Sequence, residues 1–351
     1  MLSIIIPTYN SSRTLVKLLR SIRGSGFDDC EILVVDDLST DDTVEAIRPF
    51  GVRYFRMPRN GGPSAARNLG AREARGDVLL FLDADVVVWS DTLERTARFF
   101  REHPERSVMI GVYDPEPANR GAWPLYKALQ CYSYYRSFPE VRRVTLLWAA
   151  VAAFRRDLYL ESGGFDDRYD LPCMEDLELG RRISKRTPIY LNRAVRVRHH
   201  FPVTLRKNVK DHFTRGSLWV EIWFTHRIFD DYLSTPRRAV GRLAATAAVV
   251  ALPFAALAPH ALVLTGAGLA VYLACNHDLW RTVAEKRPLF LPAAFGMDFL
   301  LGLVLGAAAF HVFARESLRR LRAVFRGPAA AIEPFGPDAD AEPASYPYGD
   351  D

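Results

Sequence analysis

The sequence predicts an α/β fold, in which a mostly parallel sheet is flanked by helices and followed by apolar C-terminal helices. Short β-branched runs alternate with segments of helical spacing through residues 3–112. This order is typical of a doubly wound sheet with right-handed crossovers. The run Val78–Val88, VLLFLDADVVV, is apolar enough for a strand buried on both faces. After about Ala239 the chain is far more apolar than before it.

The N-terminal elements are predicted in chain order from periodicity and punctuation. Strands are expected at Ser3–Ile6, Glu31–Val35, Val52–Met57, Val78–Val88 and Val108–Val112. The first helix is expected to begin after a cap at Asn10, Ser11 or Ser12, and later helices near Asp42, Ser64 and Asp91, since these residue types cap helix N-termini. A later helix is expected from Met174 to Arg182, and a short strand over Ala194–Arg198. The first βα turn lacks GxGxxG, which argues against an ordinary dinucleotide site.

Composition narrows the possible partners and the compartment. The 351 residues carry a net charge of +5, and arginines crowd around the apolar C-terminal segments. That distribution favours a membrane surface and argues against nucleic acid. The four cysteines lie far apart without a CxxC pair, which suits a reducing compartment. The N-terminus lacks the pattern of a signal peptide, so the first half is expected in the cytosol.

Pairs of carboxylates follow two of the predicted strands. Asp83 and Asp85 end the apolar run, at the sheet edge where open α/β folds bind ligands. Carboxylate oxygens suit a hard divalent cation such as Mg2+ or Mn2+, although the two acids could instead cap a turn. Asp36 and Asp37 end the second strand. They could accept hydrogen bonds from a ribose or a base, or could cap the next helix.

Four further residues are candidates with open alternatives. Arg67 lies just inside a helix and could point to solvent or to a phosphate. Glu175 could act on a substrate or simply favour the macrodipole in the first turn of its helix. His199 and His200 close a strand, and either could be a metal ligand or a structural residue.

Together these residues resemble the family 2 glycosyltransferases of the GT-A fold, a Rossmann-like, mostly parallel sheet flanked by helices. The likeness covers roughly residues 2–200, and its specificity comes from six pieces in the family's order and spacing. The matching pieces are Ser3–Asn10, Val34–Asp37 with Ser39 and Thr43, Asn60–Gly62 through Gly70, Asp83–Asp85, Gly163–Phe165 and Glu175–Asp176.

The resemblance implies a role for each matching residue. A UDP- or GDP-sugar donor would be held by Pro7, Thr8, Tyr9, Asp36, Arg67, Asp83, Ala84 and Asp85. Among these, Arg67 would lie against the base, Asp83 would reach the ribose, and Asp85 would bind the divalent cation. His199 or His200 would be a further metal ligand. Asp176 would deprotonate the acceptor hydroxyl, and a single displacement would invert the anomeric centre.

Two segments depart from the family's pattern. The stretch Trp148–Ala153 carries alanines where such enzymes commonly have a glycine or a small polar residue, so the acceptor pocket is expected to be unusual. The stretch Thr214–Trp219 is only faintly similar to the QxxRW signature of processive synthases. A single transfer per acceptor is therefore expected. Arg215 and Trp219, with Glu175, remain candidates for contacts to acceptor or phosphate.

The C-terminal part is predicted to associate with a membrane. Leu205–Arg227 suits an interfacial helix, with a domain helix whose tryptophans belong to the core as the alternative. Ala239–Asn276 fits two helices hinged near Pro259, or one kinked helix, and Leu289–Ala314 is a further apolar span. Asp298 inside that span is costly unless it faces a polar partner or a lipid headgroup.

Arginine clusters before, between and after these spans conflict with three full crossings under the positive-inside rule. A hairpin is therefore expected, with the last segment re-entrant or returning to the same side. The predicted domains are 1–203 (catalytic), 204–238 (interfacial), 239–314 (membrane helices) and 315–351 (a basic juxtamembrane helix and a disordered acidic tail). The catalytic domain would face the cytoplasm at the cell inner membrane.

The sequence thus predicts an inverting, metal-dependent glycosyltransferase that acts on a lipid-linked or membrane-proximal acceptor in envelope polysaccharide or glycolipid synthesis. A processive polysaccharide synthase is the nearest alternative, although few membrane spans are visible. A nucleotidyltransferase would require a Gly-rich N-terminal loop and lysine, which are missing. An inactive sugar-nucleotide-binding membrane scaffold is the alternative from another class.

Overall fold

The computed structural model describes residues 1–168, 174–226, 235–256 and 258–326. The described residues form two compact units, one of residues 1–119 and 137–200, the other of 120–136 and 201 onward. The boundary after residue 200 lies close to the predicted end of the catalytic domain. Residues 120–136, which the sequence analysis assigned to that domain, group with the second unit. The predicted tail and Arg227 lie outside the described residues.

The first unit is built on a mixed β-sheet. In the described residues its strands are β1 (Leu2–Thr8), β2 (Cys30–Asp36), β3 (Arg53–Arg56), β4 (Val78–Leu82), β5 (Val86–Val88), β6 (Val108–Tyr113), β7 (Val141–Val144), β8 (Val151–Arg155) and β9 (Ile189–His199). Their order is β3-β2-β1-β4-β8-β6-β9-β5, and β7 pairs with β9. The predicted βαβ half is confirmed, because β1 pairs in parallel with β2 and β4, and β2 with β3. The other half is mixed, since β8 runs antiparallel to both β4 and β6.

The predicted strand Val78–Val88 is two strands joined by a turn at Asp83–Asp85. After the turn, β5 leaves β4 and pairs antiparallel with β9 at the far end of the sheet order. Burying two unpaired carboxylates within a continuous strand would be costly, so the break places them at the sheet edge. The turn is held by hydrogen bonds from Asp83 N to Ala150 O (3.3 Å) and from Val86 N to Asp83 O (3.3 Å).

The helices complete both units. In the described residues they are α1 (Ser12–Gly24), α2 (Thr43–Ile47), α3 (Gly62–Glu73), α4 (Thr92–Glu102), α5 (Ala122–Tyr135), α6 (Arg156–Glu161), α7 (Met174–Ser184), α8 (Leu205–His226), α9 (Pro236–Ala251), α10 (Pro259–Cys275), α11 (His277–Lys286) and α12 (Leu291–Arg326). Ser11, Asp42 and Asp91 stand at predicted N-caps but make no side-chain capping bond. The third helix begins before the predicted Ser64, because Asp37 accepts hydrogen bonds from Gly61 N and Gly62 N, both 2.8 Å.

The second unit is a helical assembly. The predicted pair of helices around Pro259 is confirmed, since α9 ends at Ala251 and α10 begins at Pro259. Glycines allow close helix packing, because a Cβ at Gly216 would collide with Leu305 and one at Gly268 would collide with the Ala244 carbonyl.

A buried polar cluster joins four helices of the second unit, α5, α9, α10 and α12. Asp298 in α12 is fully buried and forms a bidentate ion pair with Arg242 of α9, at 2.6 and 2.9 Å. Tyr126 OH and Tyr272 OH each donate to the same carboxylate at 2.6 Å. Asp298 therefore has the polar partner that the sequence analysis required, and it is satisfied within the protein.

One helix in the described residues is long and apolar enough to cross a membrane, and it covers Pro288–Arg319. A second candidate is the bent pair Pro259–Cys275 and His277–Lys286, whose axes differ by 66°. Large apolar side chains are exposed on the neighbouring helices, among them Leu243, Val250, Leu262, Val263 and Leu264.

Candidate active site

Polar residues of the first unit meet where its parallel strands end. Strand register places Thr8 beside Asp36, the last residues of β1 and β2. Asp83 follows β4, the other parallel neighbour of β1. Because parallel strands end at a common edge, these side chains share the position at which α/β sheets bind ligands.

A buried cation lies among the acids of this edge. Arg67 of α3 has a side chain only 5% exposed, and its Nη2 donates to Asp83 Oδ1 at 2.7 Å. Its Nη1 lies 3.7 Å from Glu175 Oε1, and its guanidinium stands 5.2 Å from the centre of the Phe165 ring. Burial alone would lower the pKa of Arg67, but Asp83, Asp176 and Glu175 raise it, so the side chain stays charged. Arg67 thus bridges Asp83, in the turn after β4, and Glu175 of α7. The resemblance instead placed it against a nucleotide base.

Asp176 has the environment of a general base. Its Oδ2 accepts a hydrogen bond from Ala149 N at 3.2 Å, while its buried Oδ1 has no hydrogen-bond donor among the described residues. Burial, followed by the charge of Glu175, raises the pKa of Asp176 to about 8. A carboxylate with a pKa near neutrality has the basicity that proton abstraction requires.

The second acid of the turn faces a histidine. Asp85 Oδ2 lies 3.3 Å from His199 Nε2, and its buried Oδ1 accepts no hydrogen bond from the described residues. Burial would raise the pKa of Asp85, but the neighbouring His199 outweighs it and lowers the pKa. His200 instead donates its backbone N–H to the Asp85 carbonyl (2.8 Å), and its Nδ1 lies 3.2 Å from the same oxygen. The two adjacent histidines therefore have different surroundings, and only His199 faces the Asp85 carboxylate.

The described residues contain no group of three or more His, Cys, Asp or Glu side chains that could hold a metal ion by themselves. Asp85 and His199 nevertheless provide an oxygen and a nitrogen at one point, and Asp85 Oδ1 is a buried acceptor without a donor. This donor set suits Mg2+ or Mn2+ if a ligand supplies the remaining oxygens, as phosphates commonly do. The residues therefore fit a shared protein–phosphate metal site.

The residues predicted to bind the nucleotide differ in whether their polar atoms are free to bind a ligand. Asp36 is fully buried, and its oxygens accept from Ser39 N (2.9 Å) and Tyr54 OH (2.8 Å). Thr8 Oγ1 is buried without a hydrogen-bond partner among the described residues. Pro7 is buried, Tyr9 is half-buried, and Ala84 is buried within the acidic turn. Asp36 therefore shapes the loop after β2, while Thr8 retains an unused hydroxyl at the strand end.

Asn68 anchors the loop that contains Phe165. From the sequence it was predicted only as part of the matching piece that ends at Gly70. Its Nδ2 donates to Phe165 O at 2.8 Å, and its Oδ1 accepts from Phe165 N (2.9 Å) and Tyr159 OH (2.7 Å). Gly164 has a φ of 70°, and a Cβ there would collide with Asn68 Oδ1. The neighbouring residue Arg67 contacts the same Phe165 ring. The motif thus fixes the apolar support of the buried arginine.

Aromatic residues near the histidine were not predicted as part of the site. The Tyr113 ring lies 4.7 Å from the His199 ring and 4.8 Å from the Trp148 ring, measured between centroids. Trp148 directly precedes Ala149, whose N–H contacts Asp176. No local pattern identifies Tyr113, because it ends an ordinary apolar strand. Arg215 and Trp219 lie in α8 of the second unit, with Arg215 exposed and Trp219 half-buried.

Comparison with known proteins relates most of this unit to a known family. Residues 3–163 match the family model "Glycosyl transferase family 2". The chain is 34% identical over 115 residues to the poly(ribitol-phosphate) beta-N-acetylglucosaminyltransferase TarS of Staphylococcus aureus (strain Mu50), covering 31% of this chain and 20% of that protein. It is 34% identical over 118 residues to the poly(ribitol-phosphate) beta-glucosyltransferase of Bacillus spizizenii (strain W23), covering 31% and 18%. The alignments thus span about a fifth of these curated relatives.

A solved structure shares the fold over most of the chain. It is the mannosyltransferase PcManGT from Pyrobaculum calidifontis in complex with GDP-Man and Mn2+, which has a TM-score of 0.53 at 20% identity. The match covers 89% of this chain and 86% of that one. The predicted GT-A fold is confirmed. Residues 3–163 of the chain thus form a domain that matches glycosyltransferase family 2, and the curated relatives similar to it are glycosyltransferases.

Proposed function

We propose that the protein is an inverting, metal-dependent hexosyltransferase that moves a sugar from a UDP- or GDP-sugar to a lipid-linked or membrane-proximal acceptor. The observation that carries this proposal is the arrangement at the sheet edge. Asp85 Oδ2 and His199 Nε2 lie 3.3 Å apart, and the half-buried Asp176 has a buried Oδ1 that accepts no hydrogen bond from the described residues. An acceptor activated by Asp176 could therefore attack a donor whose phosphates lie beside Asp85.

Each residue has a defined part in this chemistry. Thr8 and the edge of β1 and β2 would hold the nucleotide, with Asp83 directed by Arg67 toward the ribose. Asp85 and His199 would hold a divalent cation, which offsets the negative charge of a leaving nucleoside diphosphate when bound. Asp176 would take the proton of the acceptor hydroxyl as the new glycosidic bond forms. A single displacement of this kind inverts the anomeric centre.

The nature of the donor is supported by the similar solved structures. PcManGT was solved with GDP-Man and Mn2+, and a structure of S. aureus TarS contains UDP-GlcNAc. Both ligands are nucleoside diphosphate sugars. Asp85, with a neighbouring nitrogen ligand and an acceptor oxygen to spare, matches the requirement of a metal–diphosphate site.

The acceptor is proposed from the second unit and from the curated relatives. The apolar helix Pro288–Arg319 and the exposed apolar side chains of α9 and α10 favour attachment to the cell inner membrane, with the catalytic unit on the cytosolic side. The relatives TarS and the B. spizizenii enzyme are named for poly(ribitol-phosphate) acceptors. We therefore place the protein in the synthesis of a cell-envelope polysaccharide or glycolipid.

The test is transfer of labelled sugar from UDP- and GDP-sugars to lipid extracted from the membrane. The purified full chain is assayed with Mn2+, with Mg2+ and with EDTA, and the products are partitioned between organic and aqueous phases. Metal-dependent label in the organic phase is the expected result. Label found only on water-soluble acceptors would contradict the lipid acceptor, and EDTA-resistant transfer would contradict the metal.

A further inference from the structure

A lysine of the first helix stands next to the acidic turn without a carboxylate of its own. Lys17 is exposed, and its Nζ lies 3.2 Å from His200 Nε2. Among the described residues, no Asp or Glu comes within ion-pair distance of Lys17. The neighbouring imidazole is itself tied to the acidic turn, since the His200 backbone and ring both contact the Asp85 carbonyl.

The position of Lys17 follows from the packing of α1. Leu15, Leu18, Leu19 and Ile22 bury the apolar face of this helix. Ser21 lies one turn after Lys17, and its Oγ accepts a hydrogen bond from Val88 N at 3.1 Å. Residues four apart share a helix face, so this contact directs Lys17 toward the strand that follows the acidic turn. The ammonium group is therefore placed by the fold rather than by a local ion pair.

An unpaired ammonium beside an imidazole is an unusual arrangement, because the two groups repel each other if the imidazole is protonated. Because a lysine ammonium can only donate hydrogen bonds, His200 Nε2 is the acceptor of this contact. Lys17 therefore supplies the positive charge of the pair. A fixed cation next to the site of a developing anion stabilises that anion without reorganisation.

We propose that Lys17 binds the diphosphate of the sugar donor and of the nucleoside diphosphate product, with His200 as the residue that positions its ammonium group. This inference rests on the proposed glycosyl transfer and adds a phosphate-binding residue to it. It also separates the two histidines by role: His199 faces the Asp85 carboxylate, and His200 faces Lys17. A charge-assisted contact of this kind is specific for phosphate and indifferent to the nucleoside.

The test compares ligands with and without the diphosphate. Binding of UDP, GDP, uridine and guanosine to the full chain is measured by calorimetry in Mn2+, for the parent and for Lys17→Met and Lys17→Arg. The expected result is about tenfold weaker binding of the nucleoside diphosphate by Lys17→Met, a change within about threefold for Lys17→Arg, and unchanged nucleoside binding. Arg20→Met is the matched control, because Arg20 is exposed on the same helix and carries the same charge.

The outcomes distinguish this inference from the function on which it rests. If the parent binds a nucleoside diphosphate and Lys17→Met binds it equally well, the role of Lys17 is overturned and the proposed transfer is unaffected. An equal loss in Arg20→Met would also overturn it, since the effect would then be a general one of net charge. If the parent binds neither UDP nor GDP, the proposed donor falls and the inference falls with it. Thermal melting checks that the exposed substitutions leave the fold intact.

Discussion

Arg67 is expected to stabilise the first unit, because its buried guanidinium contacts two carboxylates. Replacing it with methionine would keep most of the apolar stem and would remove the one buried cation that contacts both Asp83 (2.7 Å) and Glu175 (3.7 Å). The Glu175 side chain is only 8% exposed, so water cannot replace the lost charge there. Breaking a buried ion pair from one side costs about 3–5 kcal/mol. In a domain of this size, that corresponds to a fall in Tm of roughly 6–20 °C.

The loss should also depend on pH. Without Arg67, the buried carboxylates would have folded-state pKa values above those of the unfolded chain, because burial and mutual repulsion both raise them. Groups with raised pKa values destabilise the fold progressively as the pH rises from the unfolded value toward the folded one. Arg67→Met should therefore be closer to the parent in stability near pH 5 than near pH 8.

The assay is thermal unfolding of the full chain in detergent, followed by tryptophan fluorescence from pH 5 to pH 8. Arg72→Met is the matched control, since Arg72 is exposed on the same helix, and it should melt with the parent. A fall in Tm below about 3 °C, or a loss that is equal at both ends of the pH range, would refute the reasoning about the buried acids.

Further predictions concern the chemistry of the site. Asp176→Asn should lower the transfer rate by about 10^2–10^4-fold while donor binding by calorimetry stays within twofold, and equal losses of both would contradict a base. In the parent, kcat/KM should rise with pH toward about 8, because Asp176 must be ionised to accept a proton. Glu175→Gln should move this limb to lower pH, as it removes a negative neighbour, and an unmoved limb would argue against Asp176 as the titrating group. Asp85→Asn and His199→Gln should each weaken Mn2+-dependent donor binding about tenfold or more, whereas His200→Gln should leave its Mn2+ dependence intact.

The first half of the fold could be predicted from sequence because its interactions are local in kind. Apolar runs ended by punctuation and helical spacing located β1 to β4 and the helices between them. The break at Asp83–Asp85 was not predicted, because Val86–Val88 remains as apolar as the strand before it. Only its pairing with β9, more than a hundred residues later in the chain, shows that it is a separate strand.

The candidate site likewise combines residues that could be predicted from local sequence with contacts that depend on tertiary packing. The acids at the strand ends were predicted as candidates, since their residue types and positions carry the chemistry. From its sequence, Arg67 was expected to face solvent or a phosphate, and its helix pattern does not predict that it turns inward. Its burial depends on Phe165 and on acids from α7 and the turn after β4, which tertiary packing brings together. The separation of His199 from His200 likewise depends on strand pairing.

Under the membrane attachment proposed above, the ion pair between Arg242 and Asp298 affects how the helices would insert. Either charged residue would disfavour insertion of its helix into the bilayer without the other helix, because an unpaired charge in hydrocarbon costs several kcal/mol. Together with Tyr126 and Tyr272 they present a neutral, hydrogen-bonded surface. The helices α9 and α12 are therefore expected to partition jointly, after synthesis of both. Truncated chains that end before α12 should be poor substrates for stable insertion during biogenesis.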